Sequence, residues 1–170
     1  EAELSMVRRL GAPEENILAA QDNLAGTYGA LGRLEEALPL RRDVYSGHLK
    51  HNGEEHVETL VAATCYVSTL NELHRFEEAK SLLRESMPVA QRILGAGDDN
   101  TLRMRWNYAD TLYKDDEATL DDLREAVTTL TEIERTARRV LGGPHPTTTG
   151  IAADLRAARA APRARPPPPR

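Results

Sequence analysis

Five histidines, one cysteine and several acidic runs are the groups in this 170-residue chain with chemistry to offer. Their spacing decides how much. His48, His51 and His56 lie near Glu54 and Glu55, and the string His51-Asn-Gly-Glu-Glu-His56 approaches a zinc-protease signature. That chemistry needs two histidines four residues apart on one helix face. Here they are five apart across a glycine turn, so no metal is expected. Asp115-Asp-Glu followed by Asp121-Asp122 lacks the glycine and the oxygen spacing of a calcium loop and reads as an acidic turn before a helix start. Gly26-x-x-Gly29-x-x-Gly32 sits in a helical pattern and lacks the lysine of a phosphate-binding loop. No serine–histidine–acid or cysteine–histidine set shares a local framework. Cys65 reads as a small, half-buried side chain. No enzyme activity and no cofactor are expected.

The elements that would position these groups announce themselves by repetition. The segment from Asn100 to Leu112 (Asn-Thr-Leu-Arg-Met-Arg-Trp-Asn-Tyr-Ala-Asp-Thr-Leu) has a copy 42 residues upstream, Glu58-Thr-Leu to Tyr66-Val-Ser-Thr-Leu70. A fainter copy, Asn16-Ile-Leu to Asn23-Leu-Ala-Gly-Thr-Tyr28, lies a further 42 upstream. A fixed period of this size points to stacked helical units. Junctions at Gly11, Gly53 and Gly95 stand 42 apart and a fourth, Gly142, follows after 47. Each puts a glycine where a helix would end in the left-handed conformation, followed by residues suited to a helix start. A second junction lies inside each unit: Gly32-Arg-Leu-Glu-Glu-Ala37, His74-Arg-Phe-Glu-Glu-Ala79 and Asp122-Leu-Arg-Glu-Ala126.

The expected architecture is therefore all-α, a right-handed superhelical solenoid of antiparallel helix pairs. A trailing helix over about 3–10 within residues 1–10 precedes full repeats over about 14–51, 55–94 and 98–141, and a lone helix closes the array over 146–161. Five extra residues around Lys114–Leu120 lengthen the third unit's turn. Pro39 and Pro88 fall inside the second helices of their units, where each should bend the helix at a cost of about 3 kcal/mol. Residues 162–170, Pro-Arg-Ala-Arg-Pro-Pro-Pro-Pro-Arg, read as a disordered tail.

Charge narrows the partners. From Arg156 onward there are five arginines and no acid; the preceding 155 residues hold 17 basic and 27 acidic side chains, or −10. Phosphate binding needs a clustered basic face, so no nucleic acid is expected. No apolar run approaches the roughly 18 residues of a membrane span, so no membrane partner is expected either. A single cysteine favours a reducing, cytoplasmic setting. The chain opens at Glu1 in the middle of a repeat and reads as a piece of a longer protein, with further repeats expected in the parent chain.

Asn23-Leu-Ala-x-x-Tyr28, Gly32-Arg-Leu-Glu-Glu-Ala37 and Leu141-Gly-Gly-Pro-His-Pro-Thr-Thr resemble the 42-residue tetratricopeptide repeat of kinesin light chains, over about residues 3–160. HEAT and armadillo units have a comparable length. The small residue after each Glu-Glu, with Ala25 and Ala109 in mid-helix, favours the tetratricopeptide type. The resemblance implies a non-catalytic protein-binding scaffold, adaptor-like if the likeness extends to function.

On the first helix of each pair, Leu24, Ala25 and Tyr28, with Tyr66, Val67, Leu70 and Tyr108, Ala109, Leu112, form an apolar face that should pack inward. The other side carries Ala19, Asp22, Asn23, Gly26 and Gly29; then Val61, Thr64, Cys65, Ser68 and Asn71; then Arg103, Trp106, Asn107, Asp110 and Tyr113. This side should line a peptide-binding groove. Asn23, Gly26, Thr64, Ser68, Asn71, Arg103, Trp106, Asn107 and Asp110 are its candidate contacts. The resemblance gives Asn23 and Asn107 the role of bonding a peptide backbone, which Cys65 cannot perform in the middle repeat; bridging between helices is the alternative for both. Arg103 suits an acidic ligand or a solvated ion pair. Trp106 suits a binding anchor or a filler of the larger third unit. The functional readings are two: a scaffold binding a peptide or partner protein in the groove, or a regulatory segment of a longer protein, packed against its own chain.

Overall fold

The computed structural model describes residues 5, 6 and 9–164, with side chains through Ala161. The chain is all-α. Its helices are α1 (Glu14–Ala30), α2 (Leu34–Asn52), α3 (Val57–Glu72), α4 (Phe76–Ile93), α5 (Asp99–Tyr113), α6 (Leu120–Val140) and α7 (Pro146–Ala164). The chain divides between Arg75 and Phe76 into two compact units, with α1–α3 in the first and α4–α7 in the second.

The helix ends follow from local chemistry. Gly11, Gly32, Gly53, Gly95 and Gly142 all have the positive φ that glycine adopts without steric cost at a helix end. Two turns are built from the same hydrogen bonds, 42 residues apart. After α1, Gly32 N–H donates to Gly29 O and Arg33 N–H to Tyr28 O; after α3, His74 N–H donates to Asn71 O and Arg75 N–H to Leu70 O. Both are Schellman closures, and His74 adopts φ 58 to complete its copy. The third turn departs from them. Across Lys114–Thr119 no residue has positive φ, and α6 starts instead on a reciprocal capping box between Thr119 and Asp122. Helix starts elsewhere use side-chain acceptors: Asp98 takes the amides of Asn100 and Thr101, and His56 Nδ1 that of Glu58.

Helices α2 and α4 continue through Pro39 and Pro88, both solvent-facing, where water can reach the carbonyl each proline leaves without its helical donor. Helix α7 runs to Ala164, three residues into the span expected to be a tail; residues 165–170, like 1–4, 7 and 8 of the expected leading helix, lie outside the described residues.

In the first unit α2 packs against both α1 and α3. Ala25, Tyr28 and Ala37 form a buried cluster flanked by Leu24 and Leu40. Gly47 of α2 lies against Leu18 of α1 so closely that a Cβ would stand 2.9 Å from Leu18 Cδ1, inside contact distance. In the second unit α5 packs against α4, α6 and α7, and α6 against α7. Leu102, Ala109, Leu130, Ile133 and Ile151 are fully buried there. Each large member contributes about 1.5–3 kcal/mol by leaving water. Ala25, Val67 and Ala109 of the inward face are fully buried, and Tyr28, Leu70 and Leu112 nearly so. Leu24, Tyr66 and Tyr108 are half-buried.

Candidate functional site: the outer faces of α1, α3 and α5

In the first unit α1 and α3 flank an open cleft of about 550 Å³ whose floor is α2. Helix α1 contributes Glu15, Ala19 and Asp22; the last two turns of α2 contribute Val44, His48 and Asn52. His56, Val57, Glu58, Val61 and Ala62 come from the start of α3. Val44 and Ala62 are buried, whereas Val57 and Val61 remain 50% and 41% exposed beside them. Apolar surface left open next to polar groups is the composition expected of a binding cleft. The acids are held in place. Asp22 is ion-paired with Arg41 of α2. The Glu58 carboxylate accepts from Asn52 Nδ2 at 3.1 Å and lies 3.5 Å from His48 Nδ1.

The cleft brings together Ala19, Asp22 and Val61 of the outer face, but none of the five candidate contacts from this unit lines it. Asn23 is exposed and Gly26 half-buried, with the Arg41 guanidinium 3.7 Å from where a Cβ would stand. Thr64 is buried and donates its hydroxyl to Leu60 O at 2.9 Å, inside its own helix. Ser68 is half-buried and donates to Glu72 at 3.4 Å; Asn71 is buried near the end of α3. His48 and Asn52 lie on the second helix of their pair, and Glu58 lies in the first turn of α3, ahead of the residues that the repeat pattern assigns to the outer face. The cleft is built where the second helix ends and the next first helix begins. The clue in the sequence was the polar junction His48 to Glu58 with Val57 inside it.

The second unit treats the same face differently. Arg103 is exposed and Asn107 half-buried. Trp106 packs its indole over Gly150 of α7, where any Cβ would collide with it, and donates Nε1–H to Asp154 at 2.6 Å. Asp110 is 8% exposed. Its Oδ2 accepts from Lys114 Nζ at 2.6 Å, and the same ammonium lies 4.0 Å from Asp154. Burial pushes the Asp110 carboxyl up to about 7; Lys114 opposes this and the neighbouring Asp154 carboxylate adds to it. Burial and the same two carboxylates raise the Tyr113 phenol. Thr147 Oγ1 of α7 donates to Asp99 of α5 at 2.6 Å. Trp106 with Asp154, and Asp99 with Thr147, thus bind α7 to α5.

A second cavity, about 440 Å³, opens on another side of α5, between α4 and α6. Lys80, Arg84, Tyr108 and Glu125 line it, among others. Tyr108 Oη donates to Glu125 at 2.7 Å, and burial with that carboxylate pushes the phenol up to about 12.

Three further histidines have structural posts: His51 Nε2 lies 3.6 Å from a Glu14 carboxylate oxygen, His56 caps α3, and His145 Nδ1 accepts from Thr147 N–H at 3.3 Å. Among the described residues no group of three or more His, Cys, Asp or Glu is placed to hold a metal ion, and no helix is long and apolar enough to cross a membrane.

Comparison with a repeat-family profile agrees with this architecture. The tetratricopeptide repeat family profile, of the kinesin light chain type, matches residues 17–58 and 59–101, together half of the chain. No curated protein matches the chain. Among solved structures it is similar to the crystal structure of BtubC (BKLC) from P. vanneervenii, at 14% identity and a TM-score of 0.49, covering 94% of this chain and 69% of that one. Repeats of this type are non-catalytic and generally mediate protein–protein interaction. With two consecutive repeats matched over half its length and helix pairs closed by the same turns, the chain belongs to the tetratricopeptide repeat family.

Proposed function

We propose that the chain is a protein-interaction module whose first unit holds an extended segment of a partner protein between α1 and α3. The observation that carries this reading is the open cleft between α1 and α3, where Val57 and Val61 stand exposed within a polar rim. A folded helix pair gains nothing from leaving two valines half in water; an occupant that covers them recovers that apolar surface. A narrow cleft floored by a helix suits a strand-like peptide, whose side chains alternate between floor and solvent. Asn23 is assigned a supporting polar contact on α1; in the second unit, taken by itself, Arg103 and Asn107 are assigned polar contacts on the α5 face.

The test is binding of the whole chain to an array of twelve-residue peptides, compared with Ala19→Trp, which fills the cleft from an exposed helix position. Selected peptides should lose at least tenfold in affinity, with helical content unchanged by circular dichroism. Binding indifferent to Ala19→Trp removes the cleft from the reading. Arg103→Glu and Asn107→Ala test the α5 face in the same assay, and peptides indifferent to both remove that face.

A further inference from the structure

We infer that the cleft of the first unit selects a cationic peptide, one carrying an arginine or lysine beside an aliphatic residue. This rests on the binding reading above and adds the charge of its ligand. Three carboxylates line the cleft, those of Glu15, Asp22 and Glu58, and no lysine or arginine does. Arg41 answers Asp22 from outside the lining. Glu15 and Glu58 face the cleft without a permanent cation: the near neighbours of Glu58 are Asn52 and the imidazoles of His48 and His56.

Acids are common at helix starts, where the dipole favours them, and that accounts for their presence in the first turns of α1 and α3. It does not account for the direction of Glu58, which leans back over the end of α2. Nor does it account for the exposed valines beside it. An aliphatic side chain seated on Val57 and Val61 would bring a neighbouring guanidinium or ammonium to Glu58 and Glu15. A carboxylate-bearing ligand would meet like charge on both sides, which costs affinity and on-rate together. The exposed Arg103, which suits an acidic ligand, lies in the other unit and has no part in this cleft.

The experiment uses the whole chain and three labelled twelve-residue peptides with an identical valine- and alanine-rich frame, differing only by arginine, glutamine or glutamate at one central position. Fluorescence polarisation is read at 20 and 150 mM salt. The arginine peptide should bind at least fivefold more tightly than the glutamine peptide, and the glutamate peptide least tightly. Glu58→Gln should remove most of the arginine preference; higher salt should narrow the preference in the same direction. If the glutamine or glutamate peptide binds as well as the arginine peptide and Ala19→Trp abolishes that binding, the cleft stands and its cationic selectivity is overturned. If Ala19→Trp affects none of the three, the binding reading falls and this inference with it.

Discussion

Asp22 and Trp106 occupy corresponding positions on the first helices of the first and third repeats, 84 residues apart. In the first unit the position holds a short acid tied sideways to Arg41, and the space between α1 and α3 stays open. In the second unit it holds an indole that lies on Gly150 and bonds Asp154, and α5 and α7 are in direct contact. The two helix pairs thus differ at this register, a short acid beside a cleft in one and an indole in a joint that Thr147 and Asp99 also hold in the other. Repeat arrays need both: open faces to bind, and firm joints between neighbouring units.

The largest test of this contrast is Trp106→Ala. The substitution removes a large side chain packed on α7, leaves Asp154 without its indole donor and opens space over Gly150. The expected cost is about 3 kcal/mol in chemical denaturation, at the low end for aromatic truncations because the ring is only half-buried. A loss below about 1 kcal/mol would return Trp106 to the role of a free binding anchor and erase the difference between the units.

How far this difference was legible beforehand depends on which link of the chain it sits. The glycine junctions and the 42-residue period were enough to place the helices, because a left-handed residue and a short turn leave few alternatives. The inward faces followed from 3–4 spacing at Ala25, Val67 and Ala109. The outer face did not, for two physical reasons. Thr64 satisfies its hydroxyl within its own helix and so buries at no polar cost, which residue type alone does not announce. Trp106 is partnered by Asp154 of α7, in a segment whose alignment with the earlier repeats is shifted by the insertion at Lys114–Leu120, and Asp110 by Lys114 at the edge of that insertion. Gly150, a glycine in mid-helix, was the one visible sign that something large lies against that helix.

The sealed joint should also be sensitive to pH. Asp110 faces Tyr113 and Lys114 on its own helix and Asp154 on α7, and its carboxyl is pushed up to about 7 from an ordinary 3.8. Between those values the native state holds a proton that the unfolded chain has released. Stability therefore falls as pH rises from about 4 to 7, with a slope of at most about 1.4 kcal/mol per pH unit, and this contribution is level outside that window. Asp110→Asn, which keeps the shape without the charge, should flatten the profile and raise stability at pH 8 relative to the unaltered chain. A profile of unchanged slope in the asparagine variant would assign the pH dependence to other groups.

The smallest effects lie in the turns, and they separate the units by mechanism. His74 takes a left-handed conformation that Gly32 fills in the preceding copy without steric cost. His74→Gly should raise stability by about 0.5–1 kcal/mol, the relief of a side chain held at positive φ minus the extra freedom glycine has when unfolded. The turn before α6 has no such residue and depends on the capping box, so Thr119→Ala should lower stability by about 1 kcal/mol while a glycine placed at Lys114 gains nothing. Equilibrium denaturation of the three variants decides it. If Lys114→Gly stabilises as His74→Gly does, the longer turn of the second unit closes by the same left-handed device, and the capping box is incidental to it.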